Sequence, residues 1–379
     1  METNDHNRAM TAIMSAPTDE TGLEIVRSGA SVRFVLNRPH VRNAISDAMR
    51  QRIADAVPDI ARDANVYAVV LRSDVPLVFS AGGDVRELAG VQASDPAGAR
   101  ALMRRKYAAH WLLECFSKPT ASLIDGMVMG AGVALSIYAT HRVAGENYQF
   151  AMPETALGFF PDDGLCWVFA RLPDHVGMYL GLTGRRIGRA DAFRLGLVTH
   201  CLPAQQFGEV EAALADADPI DPLLDDRHQD PGRGELDDLR ETIAACFGAD
   251  SVQEVFARLE AIVQSGGAAG AWCAGVLADL NARSPLALAV TFRHIRESVA
   301  RDLRQTLTAD YRLACHLLNG ADFREGVRTI FIDKGQTPNW SPSRLAGVDA
   351  AMVERIFAIN AVDDQFVLPT REEMQAARV

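Results

Sequence analysis

A glycine-rich turn between two apolar segments constrains the fold of this chain more than any other feature. A run typical of a buried strand (120–124) leads into the turn (126–132), which is followed by an apolar segment at 133–140. Glycine lets the backbone come close to a bound group, and the first N–H groups of a helix have no partner within the helix. Because two carboxylates, Glu154 and Asp162, follow on predicted loops, the segment predicts a ligand pocket.

The order of strand, glycine turn and helix also occurs earlier, in FSAGGDVREL (79–88), where Asp84 is placed to cap the helix. Apolar runs at 23–27 and 32–36 predict a hairpin. Ser46 is expected to cap a helix that Pro58 should kink or split. Strands that alternate with helices at this spacing are typical of α/β architecture.

Changes of composition along the 379 residues predict four regions. They are a flexible N-terminal tail (1–20), a ligand-binding core (21–210), an acidic, proline-rich connector (211–240) and a C-terminal helical region (241–379). The middle of the connector, 216–238, is low in aromatic residues and is predicted to be mobile.

The net charge of −11 argues against binding to nucleic acid or to a membrane surface. The longest uncharged run, 126–140, is shorter than the roughly 18 residues that a membrane-spanning helix requires. The six cysteines lack metal-ligand or redox spacing, and no metal site is expected. The first twenty residues contain no apolar core of a secretory signal, so a cytoplasmic protein is predicted.

Three motifs, in their order and spacing, resemble the crotonase (enoyl-CoA hydratase/isomerase) superfamily over roughly residues 22–360. They are FSAGGDVREL, DGMVMGAGVAL and FAMPETALGFFPDDG. The continuation RLPDHVGMYLGLTGRRIGRADAFRLGLVTH and the segment DFREGVRTIFIDKGQTPNW (322–340) are similar to the 3-hydroxyisobutyryl-CoA hydrolase branch. The resemblance implies an α/β spiral of ββα units (the ClpP/crotonase fold) with C-terminal helices that complete the pocket. It also implies that the ligand is an acyl-CoA thioester, that no separate cofactor is needed, and that the chain can form homo-oligomers.

By position in these motifs, the backbone N–H groups of Gly83 and Ala131 are implied to hold the thioester oxygen. Glu154 and Asp162 are the implied catalytic carboxylates. Hydratases of the superfamily carry a further glutamate where this chain has Ala134, and a methyl group cannot activate water. Hydration is therefore disfavoured, and hydrolysis of 3-hydroxyisobutyryl-CoA, a step of valine catabolism, is the leading interpretation. Glu154 would attack the carbonyl to form an anhydride, or would act as a base on water; both routes stay open.

Two alternatives remain at this point: an enoyl-CoA isomerase or hydratase of the same superfamily, and an acyl-CoA-binding protein without catalytic activity. Candidate partners for the phosphates of coenzyme A are Arg38, Arg42, the triplet Arg104-Arg105-Lys106 and Lys334. Lys106 stands where the eukaryotic hydrolases carry glutamate, a reversal of charge that bears on the choice of acyl group.

Overall fold

The predicted hairpin is present and begins a six-stranded sheet. A computed structural model describes residues 21–358 and 366–379, so the predicted tail (1–20) lies outside the described residues. The strands are β1 Leu23–Ser28, β2 Ser31–Leu36, β3 Ala68–Ser73, β4 Leu77–Ser80, β5 Thr120–Ile124, β6 Gly126–Met129, β7 His141–Ala144, β8 Gln149–Ala151, β9 Ile187–Gly188 and β10 His200–Cys201.

Helices follow the strand pairs and then make up the C-terminal part of the chain. The helices are α1 Asp47–Arg62, α2 Val85–Ser94, α3 Pro96–Cys115, α4 Ala131–Ile137, α5 Leu165–Phe169, α6 Val176–Thr183, α7 Arg189–Arg194, α8 Phe207–Ala215, α9 Ile220–Asp225, α10 Arg240–Phe247, α11 Val252–Ser265, α12 Gly267–Asn281, α13 Pro285–Ser298, α14 Leu303–Leu318, α15 Ala321–Val327, α16 Ala350–Phe357 and α17 Arg371–Ala376. None of the helices in the described ranges is long and apolar enough to cross a bilayer.

Strands that are adjacent in sequence are divided between two sheets. The large sheet has the order β1-β2-β3-β5-β7-β10, and the small sheet has the order β4-β6-β8-β9. Each of the pairs β3/β4, β5/β6 and β7/β8 sends one strand to each sheet, and β4, β6 and β8 run parallel. This is the predicted spiral of ββα units, and the α/β crotonase-like fold is confirmed.

The helix caps are those that the sequence predicted, but Pro58 does not divide its helix into two. Ser46 Oγ accepts the N–H of Met49, and Asp84 accepts the N–H of Glu87. Pro58 lies inside the continuous helix α1, so the predicted split is wrong, while the alternative of a kink stays a prediction. Pro58 removes one hydrogen bond, but the buried face of the helix, which includes Val57, holds both halves against the core.

Part of the acidic segment predicted as a mobile connector is packed against the large sheet, and the mobility of the rest stays a prediction. Ile220, Leu223 and Leu224 are buried against that sheet, in one cluster with residues such as Val70. The acidic residues between them face outward, so this part of the segment, α9 (Ile220–Asp225), is an amphipathic helix with an apolar face at i, i+3 and i+4. Low average hydrophobicity concealed that face.

The glycine turn after β5 is shorter than expected, because residues 126–129 form strand β6. The reversal is confined to Gly130, which has φ 48° and ψ −125°, a conformation essentially restricted to glycine. Helix α4 begins at the next residue, Ala131. Strands β4 and β6 are hydrogen-bonded neighbours, so the turn after each strand is at the same edge of the small sheet.

Candidate active site

Two backbone N–H groups lie side by side at that edge. A Cβ added to Gly83 would be 3.8 Å from the Cβ of Ala131. Ser80 Oγ accepts the N–H of Gly82 and donates to the carbonyl of Asn43, which fixes the first turn. Within the described residues, neither Gly83 nor Ala131 donates its N–H to a protein acceptor. The predicted pair of donors is therefore brought together and is available to a ligand.

Glu154 lies beside this pair. It begins the short 3₁₀ helix Glu154–Leu157, directly after strand β8, the neighbour of β6. Its Oε1 would be 2.8 Å from a Cβ added to Gly130, and Glu154 is 8% exposed. In the described part of the chain, Oε2 has no hydrogen-bond partner. Burial and the charge of Asp162 raise the pKa of Glu154 well above its usual value. The protonated form of this carboxyl therefore persists to higher pH than that of an exposed glutamate.

Asp162 is also buried, but it has strong partners. Its Oδ2 accepts hydrogen bonds from Lys106 Nζ at 2.5 Å and from the Tyr107 hydroxyl at 2.7 Å. Burial, together with the nearby charge of Asp163, raises the pKa of Asp162 to about 7, although Lys106 acts in the opposite direction. Both predicted carboxylates are thus inside the protein and interact electrostatically with each other.

Asp163, which was not predicted as a site residue, is fully buried. Lys106 Nζ is 3.1 Å and His110 Nδ1 is 3.0 Å from its Oδ1. Burial alone would raise the pKa of Asp163, but the charges of His110 and Lys106 lower it below its usual value. Lys106 therefore forms ion pairs with two neighbouring carboxylates, of Asp162 and of Asp163.

The loop that holds both aspartates is braced by the C-terminal helices. The N–H of Gly164 donates to Asp310 Oδ2 of α14 at 2.7 Å, and Asp310 Oδ1 is 2.5 Å from His294 Nε2 of α13. The Tyr138 hydroxyl donates to the carbonyl of Asp163. Asp163 has φ 61° and Gly164 φ 79°, so two consecutive left-handed residues turn the carboxylates inward.

The proposed contact of Lys106 with coenzyme phosphates is wrong, because this side chain is buried in the aspartate cluster. The other two members of the triplet have protein partners: Arg104 donates to Tyr311 and Arg105 pairs with Asp47. Arg38 pairs with Asp84 at 3.2 Å. The charges of Arg105 and Arg38 are thus paired with carboxylates, which weakens the case for their contact with phosphates, and a contact of Arg104 stays a prediction. The remaining two candidates, Arg42 and Lys334, are exposed, and their contact with phosphates stays a prediction.

Sequence reasoning missed Tyr107, His110 and Arg50, although the helical period carried a signal. Lys106, Tyr107 and His110 lie on the same buried face of α3 as Met103, whereas Arg104 is half-buried and Arg105 is exposed. A charged residue on an apolar face indicates a buried partner. Within the described ranges, no cluster of side chains could hold a metal ion.

A sequence model of the enoyl-CoA hydratase/isomerase family matches residues 31–357. The chain therefore belongs to this family, the crotonase family. It is 34% identical to 3-hydroxyisobutyryl-CoA hydrolase 1 of Arabidopsis thaliana, over 93% of this chain and 96% of the relative. It is 32% identical to the mitochondrial 3-hydroxyisobutyryl-CoA hydrolase of Rattus norvegicus, over 88% of each chain. That relative is mitochondrial, and the cytoplasmic location expected for this chain stays a prediction.

Two solved structures share the fold at similar identity. A carnitinyl-CoA dehydratase from Mycobacterium thermoresistibile superposes with a TM-score of 0.84 at 32% identity, covering 92% of this chain and 99% of the other. An enoyl-CoA hydratase from Rhodobacter sphaeroides also has a TM-score of 0.84, at 33% identity, with 90% and 98% covered. The fold and family are thus shared by relatives named for hydrolysis, hydration and dehydration, so the reaction must be argued from the site.

Proposed function

We propose that this protein hydrolyses a short-chain acyl-CoA thioester, with 3-hydroxyisobutyryl-CoA as the leading substrate. The observation that carries the proposal is the convergence of two unoccupied backbone N–H groups, at Gly83 and Ala131, with the buried carboxyl of Glu154. Attack on a thioester places negative charge on the carbonyl oxygen. Fixed donors stabilise that charge without reorganisation, and the loss of one such donor typically costs about 10²–10³ in rate.

Glu154 is assigned as nucleophile or general base. Its Oε1 lies against the turn at Gly130, and its Oε2 has no hydrogen-bond partner among the described residues, so one oxygen is available to a carbonyl carbon or to a water. Attack by Glu154 would give a mixed anhydride and release the thiolate of coenzyme A. Base catalysis would instead transfer a water proton to Glu154 while the hydroxide adds to the carbonyl. In either route, Glu154 must be ionised when the reaction starts.

Asp162 is assigned to the proton on the leaving side or to orientation of the acyl hydroxyl. A carboxyl whose pKa is raised to about 7 exists in both protonation states near neutral pH, as a proton donor to a thiolate requires. Lys106 and Tyr107 hold one of its oxygens in place. This support leaves the other oxygen of Asp162 for the substrate.

Hydrolysis is favoured over hydration by the residue at position 134. Ala134 is fully buried on helix α4 and presents only a methyl group. Hydration across a double bond in this superfamily uses a second glutamate at position 134, which this chain lacks. The other buried carboxyl near Glu154, that of Asp162, is paired with Lys106. The names of the two curated relatives support the choice of 3-hydroxyisobutyryl-CoA.

Release of free thiol from 3-hydroxyisobutyryl-CoA, followed with a thiol reagent, tests the proposal. Glu154→Gln should abolish release while binding of the thioester persists, because an amide is neither base nor nucleophile. The matched control is Glu260→Gln, at an exposed position of α11, which should hydrolyse the thioester like the wild type. If thiol release by Glu154→Gln equals that of the control, Glu154 is not the base and the assignment is wrong.

A second candidate function is hydration or dehydration of an acyl-CoA, because two solved structures of similar identity are named for those reactions. The same incubations decide between them. A change in ultraviolet absorbance of an enoyl-CoA without release of thiol would support the second candidate and exclude the hydrolase.

The anhydride route and the base-catalysed route of hydrolysis are distinguished by single-turnover hydrolysis in ¹⁸O-water. Only the anhydride route introduces ¹⁸O into the carboxylate of the enzyme.

A further inference from the structure

A buried arginine close to the paired N–H groups forms no ion pair with any carboxylate of the described residues. Arg50, on helix α1, is only 6% exposed. Its Nε is buried without a hydrogen-bond acceptor. No carboxylate in the described ranges forms an ion pair with its guanidinium, unlike the neighbouring cations: Lys106 holds two aspartates, and Arg38 holds Asp84.

The guanidinium lies between the two halves of the site. Its Nη2 would be 3.3 Å from a Cβ added to Gly83, the position that also approaches Ala131. Burial and the charges of other neighbours have larger effects on the pKa values of Lys106 and Asp163, but the charge of Arg50 also acts to lower both of them. A thioester held by the paired N–H groups, with its acyl group directed toward the aspartate loop, would pass along this guanidinium.

A guanidinium keeps its charge at every physiological pH, so Arg50 cannot avoid the cost of burial by losing a proton. Buried charges are normally paired, and removal from water without a partner is strongly unfavourable. An anionic oxygen on a ligand would supply the missing partner and would accept two N–H groups from the planar fork.

We propose that Arg50 is a ligand-binding residue of this site, and that its guanidinium takes a negatively charged oxygen on the acyl side of the thioester. The inference rests on the proposed thioester hydrolase and adds a recognition element to it. Two sources supply this chemistry: a carboxylate carried by the acyl group, or the oxyanion that forms on the thioester carbonyl.

Two thioesters of similar size allow the acyl carboxylate and the carbonyl oxyanion to be distinguished as partners of Arg50. Methylmalonyl-CoA carries a carboxylate where 3-hydroxyisobutyryl-CoA carries a hydroxymethyl group. Steady-state thiol release from both is measured for the wild type, Arg50→Met and Arg50→Lys. The control is Arg62→Met, which removes an exposed arginine from the same helix. Thermal unfolding of each variant tests whether it is folded. If Arg50→Met is unstable, Arg50→Lys replaces it in the comparison, because lysine keeps the charge but lacks the planar fork of the guanidinium.

A charge-assisted hydrogen bond corresponds to a factor of about 10–100 in binding or rate. If Arg50→Met raises KM by such a factor for methylmalonyl-CoA alone, the acyl carboxylate is the source. If it lowers kcat by such a factor for both thioesters while KM stays constant, the oxyanion is the source. In either case Arg50→Lys should recover part of the loss. Kinetics of Arg50→Met that match those of Arg62→Met on both thioesters overturn the inference.

A binding measurement distinguishes failure of this inference from failure of the hydrolase proposal. If the wild type releases thiol from neither thioester, the hydrolase proposal fails. Calorimetric titration of methylmalonyl-CoA into Glu154→Gln, with and without Arg50→Met, then tests Arg50 alone. Affinity weakened about tenfold or more by Arg50→Met retains the inference for the acyl carboxylate, and equal affinities overturn it.

Discussion

Replacement of Lys106 by methionine tests the electrostatic core of the site. Methionine keeps most of the volume and length of the side chain but removes the positive charge that lies 2.5 Å from Asp162 Oδ2 and 3.1 Å from Asp163 Oδ1. All three side chains are at least nine-tenths buried. The variant therefore leaves two adjacent carboxylates inside the protein without the lysine charge that pairs with both of them.

Removing one member of a buried ion pair typically costs about 3–5 kcal/mol, because the remaining charge is left uncompensated. We expect the free energy of unfolding of Lys106→Met to fall by about this amount at pH 8. The cost should be smaller at pH 5.5. The pKa of Asp162 is raised to about 7 in the folded protein, above its unfolded value of 3.8, so the folded state binds the proton more tightly. Loss of Lys106 raises that pKa further, and protonation at low pH removes the charge that methionine leaves unpaired.

Urea unfolding at pH 5.5 and pH 8 measures both values. Arg105→Met is the matched control, since Arg105 is the exposed neighbour that pairs with Asp47 at the surface, where such pairs contribute about 0–1 kcal/mol. The double variant Lys106→Met/Asp162→Asn should regain most of the stability at pH 8. An equal loss at the two pH values, or a loss no larger than that of the control, would refute the electrostatic account.

Three further outcomes are expected. Thermal unfolding should show Glu154→Gln to be more stable than the wild type at pH 8, by a difference that shrinks toward pH 5. The reason is that the pKa of Glu154 is raised in the folded state, so the wild type loses stability as pH rises. Gly130→Ala should lose about 1–3 kcal/mol and most of its thiol-releasing activity, because its backbone conformation excludes a side chain and the added methyl would meet Glu154; wild-type activity would contradict this. Asp310→Ala should lower the free energy of unfolding by about 3 kcal/mol or more, because the N–H of Gly164 and the His294 ring each lose a buried partner. Turnover should fall as well. Unaltered turnover in a destabilised variant would show that the aspartate loop does not depend on this brace.

The sequence predicted the features that depend on local pattern. Glycines 82, 83 and 130 mark the turns because few other residues tolerate those backbone conformations or that close approach. The strands predicted at 23–27 and 120–124 coincide with apolar runs of the sequence. The positions of Glu154 and Asp162 followed from resemblance to a family whose membership is now established. Their burial agrees with the predicted pocket, while their catalytic roles stay proposals.

The features that were missed depend on contacts between distant segments. Lys106 was grouped with Arg104 and Arg105 because the three are adjacent in sequence, whereas a helix turns by about 100° per residue and places Lys106 on the opposite side. The brace from Asp310 to the aspartate loop joins residues 146 positions apart, and no local pattern encodes it. The packing of α9 was concealed because an average over a segment hides which face its apolar residues share.

The C-terminal helices contact both loops that carry the proposed catalytic carboxylates, which limits how this architecture can be divided. Helix α15 packs against the 3₁₀ helix that begins with Glu154, so closely that a Cβ on Gly158 would overlap the backbone of Asp322. Asp310 holds the second loop from α14. A chimaera that joins the first 210 residues to the helical region of a relative would therefore bring together loops and braces that were not selected to match. Exchanges of substrate range between family members should succeed only when the helices are transferred together with the loops they support.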